Sequence, residues 1–123
     1  MKATDLMVGD FVNVNDLPLR VGAIRQDELG FFDNDYKIYW CSDDEFDRID
    51  PIPLTEDILV KNGFVGERRS KYFHLYTLEF DTWDFEIYWG SVNGFSYENI
   101  KLSYVHELQH LLRLVGIQKE IEL

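Results

Sequence analysis

One eight-residue pattern occurs twice and constrains the fold more than anything else in the chain. Asp35-Tyr36-Lys37-Ile38-Tyr39-Trp40-Cys41-Ser42 and Asp84-Phe85-Glu86-Ile87-Tyr88-Trp89-Gly90-Ser91 agree at five of eight positions, at an offset of 49 residues. In both, residues two apart are large and apolar, which is the period of a half-buried strand and not of a helix. The correspondence extends further. Phe46 answers Phe95, and Ile52-x-Leu54-Thr55 answers Ile100-x-Leu102-Ser103. Each copy then runs into a helical stretch that ends at a glycine and an apolar residue, Gly63-Phe64 and Gly116-Ile117. The pattern reads as a duplicated β-hairpin–strand–helix unit over about 19–64 and 68–117, the second helix longer by about one turn, with Trp40 and Trp89 at equivalent places in the core. Convergence is the competing explanation, because half-buried strands favour Ile, Tyr and Trp in any case.

The flanking sequence fills in the elements. A short strand over 11–14 follows a Gly9-Asp10 turn, and Asn15-Asp16-Leu17-Pro18 turns the chain into a strand over 19–24. Residues 27–30 read as a further turn, and 46–49 as a returning strand after Asp43-Asp44. Four or five short strands in succession with no helix among them suggest an SH3-like barrel or a small curled sheet. Thr55 is a good N-cap, Glu56 and Asp57 suit the positive end of a helix, Lys61 suits its last turn, and Gly63 its C′ position. In the second half, 72–80 is a strand. Trp83, Phe85, Ile87 and Trp89 alternate with Asp84, Glu86 and Tyr88, and Asn93-Gly94 is a hairpin signal that pairs 95–100 back. Ser103 would cap a longer helix over 104–115. Its apolar stripe is Tyr104, Val105, Leu108, Leu111, Leu112 and Val115, and His106, Gln109, His110 and Arg113 lie opposite, facing solvent. The expectation is an α+β protein: a small SH3-like or curled antiparallel sheet, then a second antiparallel β unit, with one short and one longer helix.

With 123 residues the chain is expected to form a single compact domain. Its one cysteine, Cys41, can form no internal disulfide, which points to a reducing, cytoplasmic setting. The N-terminus lacks the apolar stretch of a signal peptide, and no apolar run approaches the ~20 residues of a membrane span. The charge is −11, and residues 26–57 carry −9 of it, with eleven acids against Lys37 and Arg48. Such a segment repels a phosphate backbone, so direct nucleic-acid binding is disfavoured. It suits a basic partner instead, and an acidic nucleic-acid mimic is an alternative.

The one catalytic pattern is His106-Glu107-Leu108-Gln109-His110, an H-E-x-x-H on an expected helix. Histidines four apart can share a zinc ion as His106 and His110, with Glu107 as general base on metal-bound water. No histidine follows His110. Arg113 and Gly116 stand where a longer metalloprotease pattern needs glycine and histidine, so the third ligand is missing. No cofactor is expected, with zinc as the exception to test. Cys41 reads as a strand-end residue. Asp33-Asn34-Asp35 begins like a calcium loop, but Lys37 and the absent glycine break the pattern. Arg68, Arg69 and Lys71 form a small basic cluster. The acids Asp43, Asp44, Glu45 and Asp47 make a charged turn. Tyr39 and Tyr88, on the sides of their strands away from Ile and Trp, are candidates for an exposed aromatic surface.

Three segments together resemble an uncharacterised family of small proteins from anaerobic bacteria and their phages or mobile elements. They are Lys2-Ala3-x-Asp5-Leu6-x-x-Gly9-Asp10-x-Val12, Ile52-Pro53-Leu54-Thr55-Glu56 with Gly63-Phe64, and Tyr104-Val105-His106-x-Leu108-Gln109-x-Leu111. The resemblance implies no activity. Proteins of that kind commonly carry amides where this chain has Glu107 and His110, which implies that H-E-x-x-H is not the family's pattern.

The expected function is therefore a non-enzymatic protein-interaction module. Its surface is Asp43, Asp44, Glu45 and Asp47 with Tyr39 and Tyr88, and its partner is another protein or a second copy, with no membrane involved. A small zinc hydrolase and a nucleic-acid mimic are the alternatives.

Overall fold

The computed structural model describes residues 5–33 and 35–123. Lys2 and Ala3 of the resemblance, and Asn34 of the calcium-like turn, lie outside the described residues. The fold is α+β; the described residues form two five-stranded antiparallel sheets, two α-helices and a 3-10 helix. The chain divides into two compact units, and neither is continuous in sequence. The first comprises residues 1–52 and 104–117, the second 53–103 and 118–123.

The first unit begins with β1 (Phe11–Val14), β2 (Leu17–Ile24), β3 (Glu28–Phe32) and β4 (Ile38–Ser42). A six-residue 3-10 helix (Asp43–Arg48) leads into β5 (Ile49–Pro51). The sheet order is β4-β3-β2-β1-β5, so the last strand returns to pair with the first. The sheet is thus a four-stranded meander whose fifth strand, reached through the 3-10 helix, pairs with the first. The register places Val12 against Leu19, Val21 against Phe31 and Leu29 against Cys41. These residues, with Leu6 and Ile49, form the apolar core of the unit. Helix α2 (Val105–Leu114) completes it.

Two sequence expectations change here. Residues 28–32 are a strand and not a turn, because Gly30 is covered by Trp40: a Cβ on Gly30 would sit 3.1 Å from the indole. Phe46 lies in the 3-10 helix and not in a returning strand.

The second unit holds α1 (Glu56–Lys61) and the strands β6 (Val65–Ser70), β7 (Phe73–Glu79), β8 (Asp84–Gly90), β9 (Gly94–Tyr97) and β10 (Ile100–Leu102). They form a plain meander, β10-β9-β8-β7-β6. Thr55 caps α1 as expected, its hydroxyl accepting from the N–H of Ile58, and Gly63 adopts a positive φ of 91° at the helix end. The hairpin signal holds too, with Gly94 at φ 72° joining β8 to β9. Phe64 packs edge-on to Phe85, and Phe85 stacks on Tyr97. The tail closes the unit. Asn62 exchanges two hydrogen bonds with the backbone of Glu122, both 2.7 Å, beside the buried Ile121.

The recurrent segments do not pack alike. In β8, Phe85 and Ile87 are fully buried. Their counterparts Tyr36 and Ile38 are 85% and 43% exposed, and Trp40 is 40% exposed. In β4 the other face points inward, with Cys41 buried and Tyr39 opposite the buried Phe31. The expectation of equivalent core positions for Trp40 and Trp89 is therefore corrected. Period-two alternation tells which residues share a face but leaves open which face meets the core.

Candidate functional site

The first unit carries a groove of about 320 Å³, lined by Val14, Leu17, Leu19, Phe31, Tyr39, Trp40, Cys41 and Glu45, with Asn15 at its mouth. Local structure explains each wall. Asn15 and Asp16 take positive φ in the two-residue turn between β1 and β2, which leaves Leu17 49% exposed on one side. The opposite wall is β4. Its preceding loop is tied by Asp33, whose carboxylate accepts from the N–H of Asp35 (2.9 Å) and of Lys37 (3.0 Å) and from the Tyr39 hydroxyl (3.1 Å). Desolvation works to raise the Asp33 pKa, but these hydrogen bonds and the Lys37 charge outweigh it and hold the carboxyl below its ordinary value. The same bond to Asp33 pushes the Tyr39 phenol up. The Tyr39 ring is thereby anchored as a neutral donor at the groove wall.

The 3-10 helix forms the acidic rim. Asp43, Asp44 and Asp47 are exposed, and Glu45 is half-buried. Glu45 accepts from the Ser42 hydroxyl at 2.9 Å and pairs with Arg48 at 3.4 Å. Asp44 also accepts from Ser42, at 2.6 Å. Glu45 therefore helps shape the rim, while Asp43 and Asp47 face solvent. Burial, then the charge of Glu45, pushes the Cys41 thiol up, so it stays protonated and is a wall residue rather than a nucleophile. On the outer face of β4 the Arg25 guanidinium lies 4.2 Å over the Trp40 ring. Tyr88 belongs to the other unit. It stacks on Phe73, and its hydroxyl donates to Glu86 at 2.9 Å, which raises its pKa.

The H-E-x-x-H residues are placed differently from expectation. His106 and Gln109 are each 7% exposed, so this face of α2 is buried and not solvated. It docks on the Gly9-Asp10 turn. The Gln109 amide accepts from the Phe11 N–H (2.8 Å) and donates to the Gly9 carbonyl (2.9 Å). His110 Nε2 lies 2.6 Å from Asp10 Oδ2, and Arg113 reaches Asp10 Oδ1 at 3.3 Å and the Val8 carbonyl at 3.0 Å. Asp10 is 0% exposed, and it also accepts from the Met7 N–H at 2.7 Å. Glu107 turns back to accept from the N–H of Tyr104 at 3.0 Å, so Tyr104 and not Ser103 is the N-cap. The ring centroids of His106 and His110 are 5.6 Å apart, and His106 Nδ1 is buried without a hydrogen-bond partner. Burial lowers the His106 pKa, opposing the pull of Asp10.

Among the described residues no group of three His, Cys, Asp or Glu side chains is arranged to hold a metal. Sequence reasoning missed Asp10, Gln109 and Arg113 as a linked set. The available signal was a glycine-aspartate turn early in the chain and a late helix carrying Gln, His and Arg on one face. Among the described residues no helix is long and apolar enough to cross a membrane. No protein-family model matches the chain, and neither does any curated protein or solved structure.

Proposed function

We propose that the protein is a non-enzymatic interaction module of the reducing cytoplasm, and that its first unit binds a basic segment of another protein. The observation that carries this reading is the groove along β4. It combines exposed apolar and aromatic walls (Leu17, Tyr39) with a rim of carboxylates (Asp43, Asp44, Asp47). Aromatic rings supply contact area at little entropic cost, and exposed carboxylates steer a cationic partner. The polar clusters elsewhere in the unit are already engaged in holding the fold. Asp10 is spent on His110 and Arg113, and Glu107 on the α2 N-terminus.

The test is a charge reversal that leaves the fold intact. Asp43, Asp44 and Asp47 are changed together to lysine, with Glu45 retained because it ties Ser42 and Arg48. Exposed substitutions of this kind change stability by about 0.5 kcal/mol or less each. The probe is a fluorescent peptide with an apolar centre and arginines at both ends. Binding to the natural protein, and at least a tenfold loss in the triple variant at a melting temperature no lower than the natural protein's, supports the reading. Absence of binding to the natural protein, or equal binding by both, overturns it.

A further inference from the structure

Four strands lie at sheet edges: β4 and β5 in the first unit, β6 and β10 in the second. Edge strands invite pairing with other chains and are normally blunted by charge, proline, bulges or shortness. Three of the four are blunted. β5 has three residues and includes Asp50 and Pro51. β10 has three and includes Lys101. β6 carries Glu67, Arg68 and Arg69 and has a register break between Arg68 and Ser70. β4 is Ile-Tyr-Trp-Cys-Ser, with no charge, no proline and an unbroken register through five pairs with β3. Ile38, Tyr39 and Trp40 are 43%, 44% and 40% exposed.

The ladder shows which backbone groups face outward. The Asp33 N–H donates to the Lys37 carbonyl at one end, and the Asp43 N–H to the Asp27 carbonyl at the other. Hydrogen-bonded pairs alternate in an antiparallel ladder, so Phe31–Tyr39 and Leu29–Cys41 are the bonded pairs between them. The N–H and C=O of Ile38 and Trp40 therefore point away from β3, along the open edge.

We propose that β4 takes an extended segment of another protein as an added strand, apolar in its middle and with Lys or Arg at both ends. This rests on the reading of the first unit as an interaction module and specifies how it binds. Backbone bonds to Ile38 and Trp40 supply the pairing, and alternate side chains of the segment enter the Leu17–Tyr39 groove. Charge selects the occupant. Asp33 and Asp35 precede the strand, and Asp43, Asp44, Glu45 and Asp47 follow it, against Lys37, with Arg48 paired to Glu45 and Arg25 to Glu28. A second copy pairing antiparallel would set the acidic start of one β4 against the acidic end of the other, and a parallel pairing would set like ends together. Both orientations are repulsive, whereas a segment basic at both ends meets opposite charge at both.

The experiment uses the full chain and a peptide of alternating valine and threonine with two arginines at each end. A second peptide is identical except for N-methylation of the backbone amides on one edge, and a third is methylated on the other edge. N-methylation removes a donor and blocks strand pairing without altering charge. The expected result is that one methylated peptide binds like the parent, while the other loses about tenfold or more. The parent should also slow hydrogen exchange at the Ile38 and Trp40 amides. If all three peptides bind equally, strand addition is overturned while the acidic-surface reading stands. If none binds, both fall. A dimer of the protein in sedimentation that is lost on substituting Trp40→Lys would overturn the assignment of the occupant.

Discussion

Asp10 is the residue on which the first unit's polar interior turns. Its carboxylate is fully buried, and the Met7 N–H, His110 and Arg113 converge on it. Removing one member of a buried ion pair leaves the other charge uncompensated and costs about 3–5 kcal/mol. Arg113→Met, which leaves the buried Asp10 carboxylate without its guanidinium, should therefore lower the urea midpoint by up to that equivalent, whereas Asp10→Ala, which leaves partners that water partly reaches and one unpaired Met7 N–H, should cost less, about 1–3 kcal/mol. A loss below about 1 kcal/mol for Asp10→Ala would mean that the cluster does not hold α2 to the turn.

His106 gives a second test at the same scale. Its Nδ1 is buried and unpartnered, and burial lowers its pKa. Asp10, Glu107 and Asp5 favour its protonated form, and His110 opposes it. In the unfolded chain a histidine titrates near about 6.5. Between that value and the lower folded one, the unfolded state binds more protons, so stability rises with pH. The contribution is complete above about 6.5 and is lost as pH falls through the folded pKa. His106→Phe keeps a ring to stack on Tyr104, 5.9 Å away, and removes the proton. Its denaturation midpoint should fall less steeply between pH 6.5 and the acid limb than that of the natural chain. An unchanged slope would assign the acid sensitivity elsewhere. Neither residue's role could be read from sequence. Asp10 and His110 meet across 100 residues, and a helix face of His, Gln and Arg has the same pattern whether it faces water or a buried carboxylate.

Among elements, those specified by local chemistry were legible and those specified by neighbours were not. Helix α1 follows from Thr55 and Gly63, and the β8–β9 hairpin from Asn93-Gly94, because caps and tight turns are set within a few residues. β6 gave no signal because all six of its residues are exposed and its side chains show no apolar alternation. β3 was hidden because Asp27 and Gly30 look like turn residues. Gly30 is in fact needed inside the strand, where Ile38 and Trp40 cross it within 3.3 Å of a Cβ position. The recurrent segments make the same point. Their sequences agree, but β8 sits between two strands and buries its Phe–Ile face, while β4 sits at an edge and buries the opposite one. The groove wall is the consequence: Tyr39 was foreseeable as a surface aromatic, but Trp40 beside it was not.

At the scale of the whole molecule, the charge of −11 has two effects of opposite sign with respect to salt. Self-repulsion among the acids disfavours the compact chain, above all in residues 26–57, where −9 is concentrated with only Lys37 and Arg48 to offset it. The ion pairs of this region do little to relieve it: Glu28 with Arg25 and Glu45 with Arg48 are both exposed, and such pairs contribute at most about 1 kcal/mol. Shortening the Debye length from ~30 Å at 0.01 M salt to ~8 Å at 0.15 M screens the repulsion and should raise the melting temperature. The same screening removes the attraction between the rim and a cationic segment, so affinity for the arginine-flanked peptide should fall over the same range. Stability and affinity should thus move in opposite directions with sodium chloride. In the triple lysine variant of Asp43, Asp44 and Asp47, the charge of 26–57 changes from −9 to −3, and both dependences should flatten together. A variant in which the salt dependence of stability flattens but that of peptide binding does not would show that the peptide reads charge elsewhere on the surface.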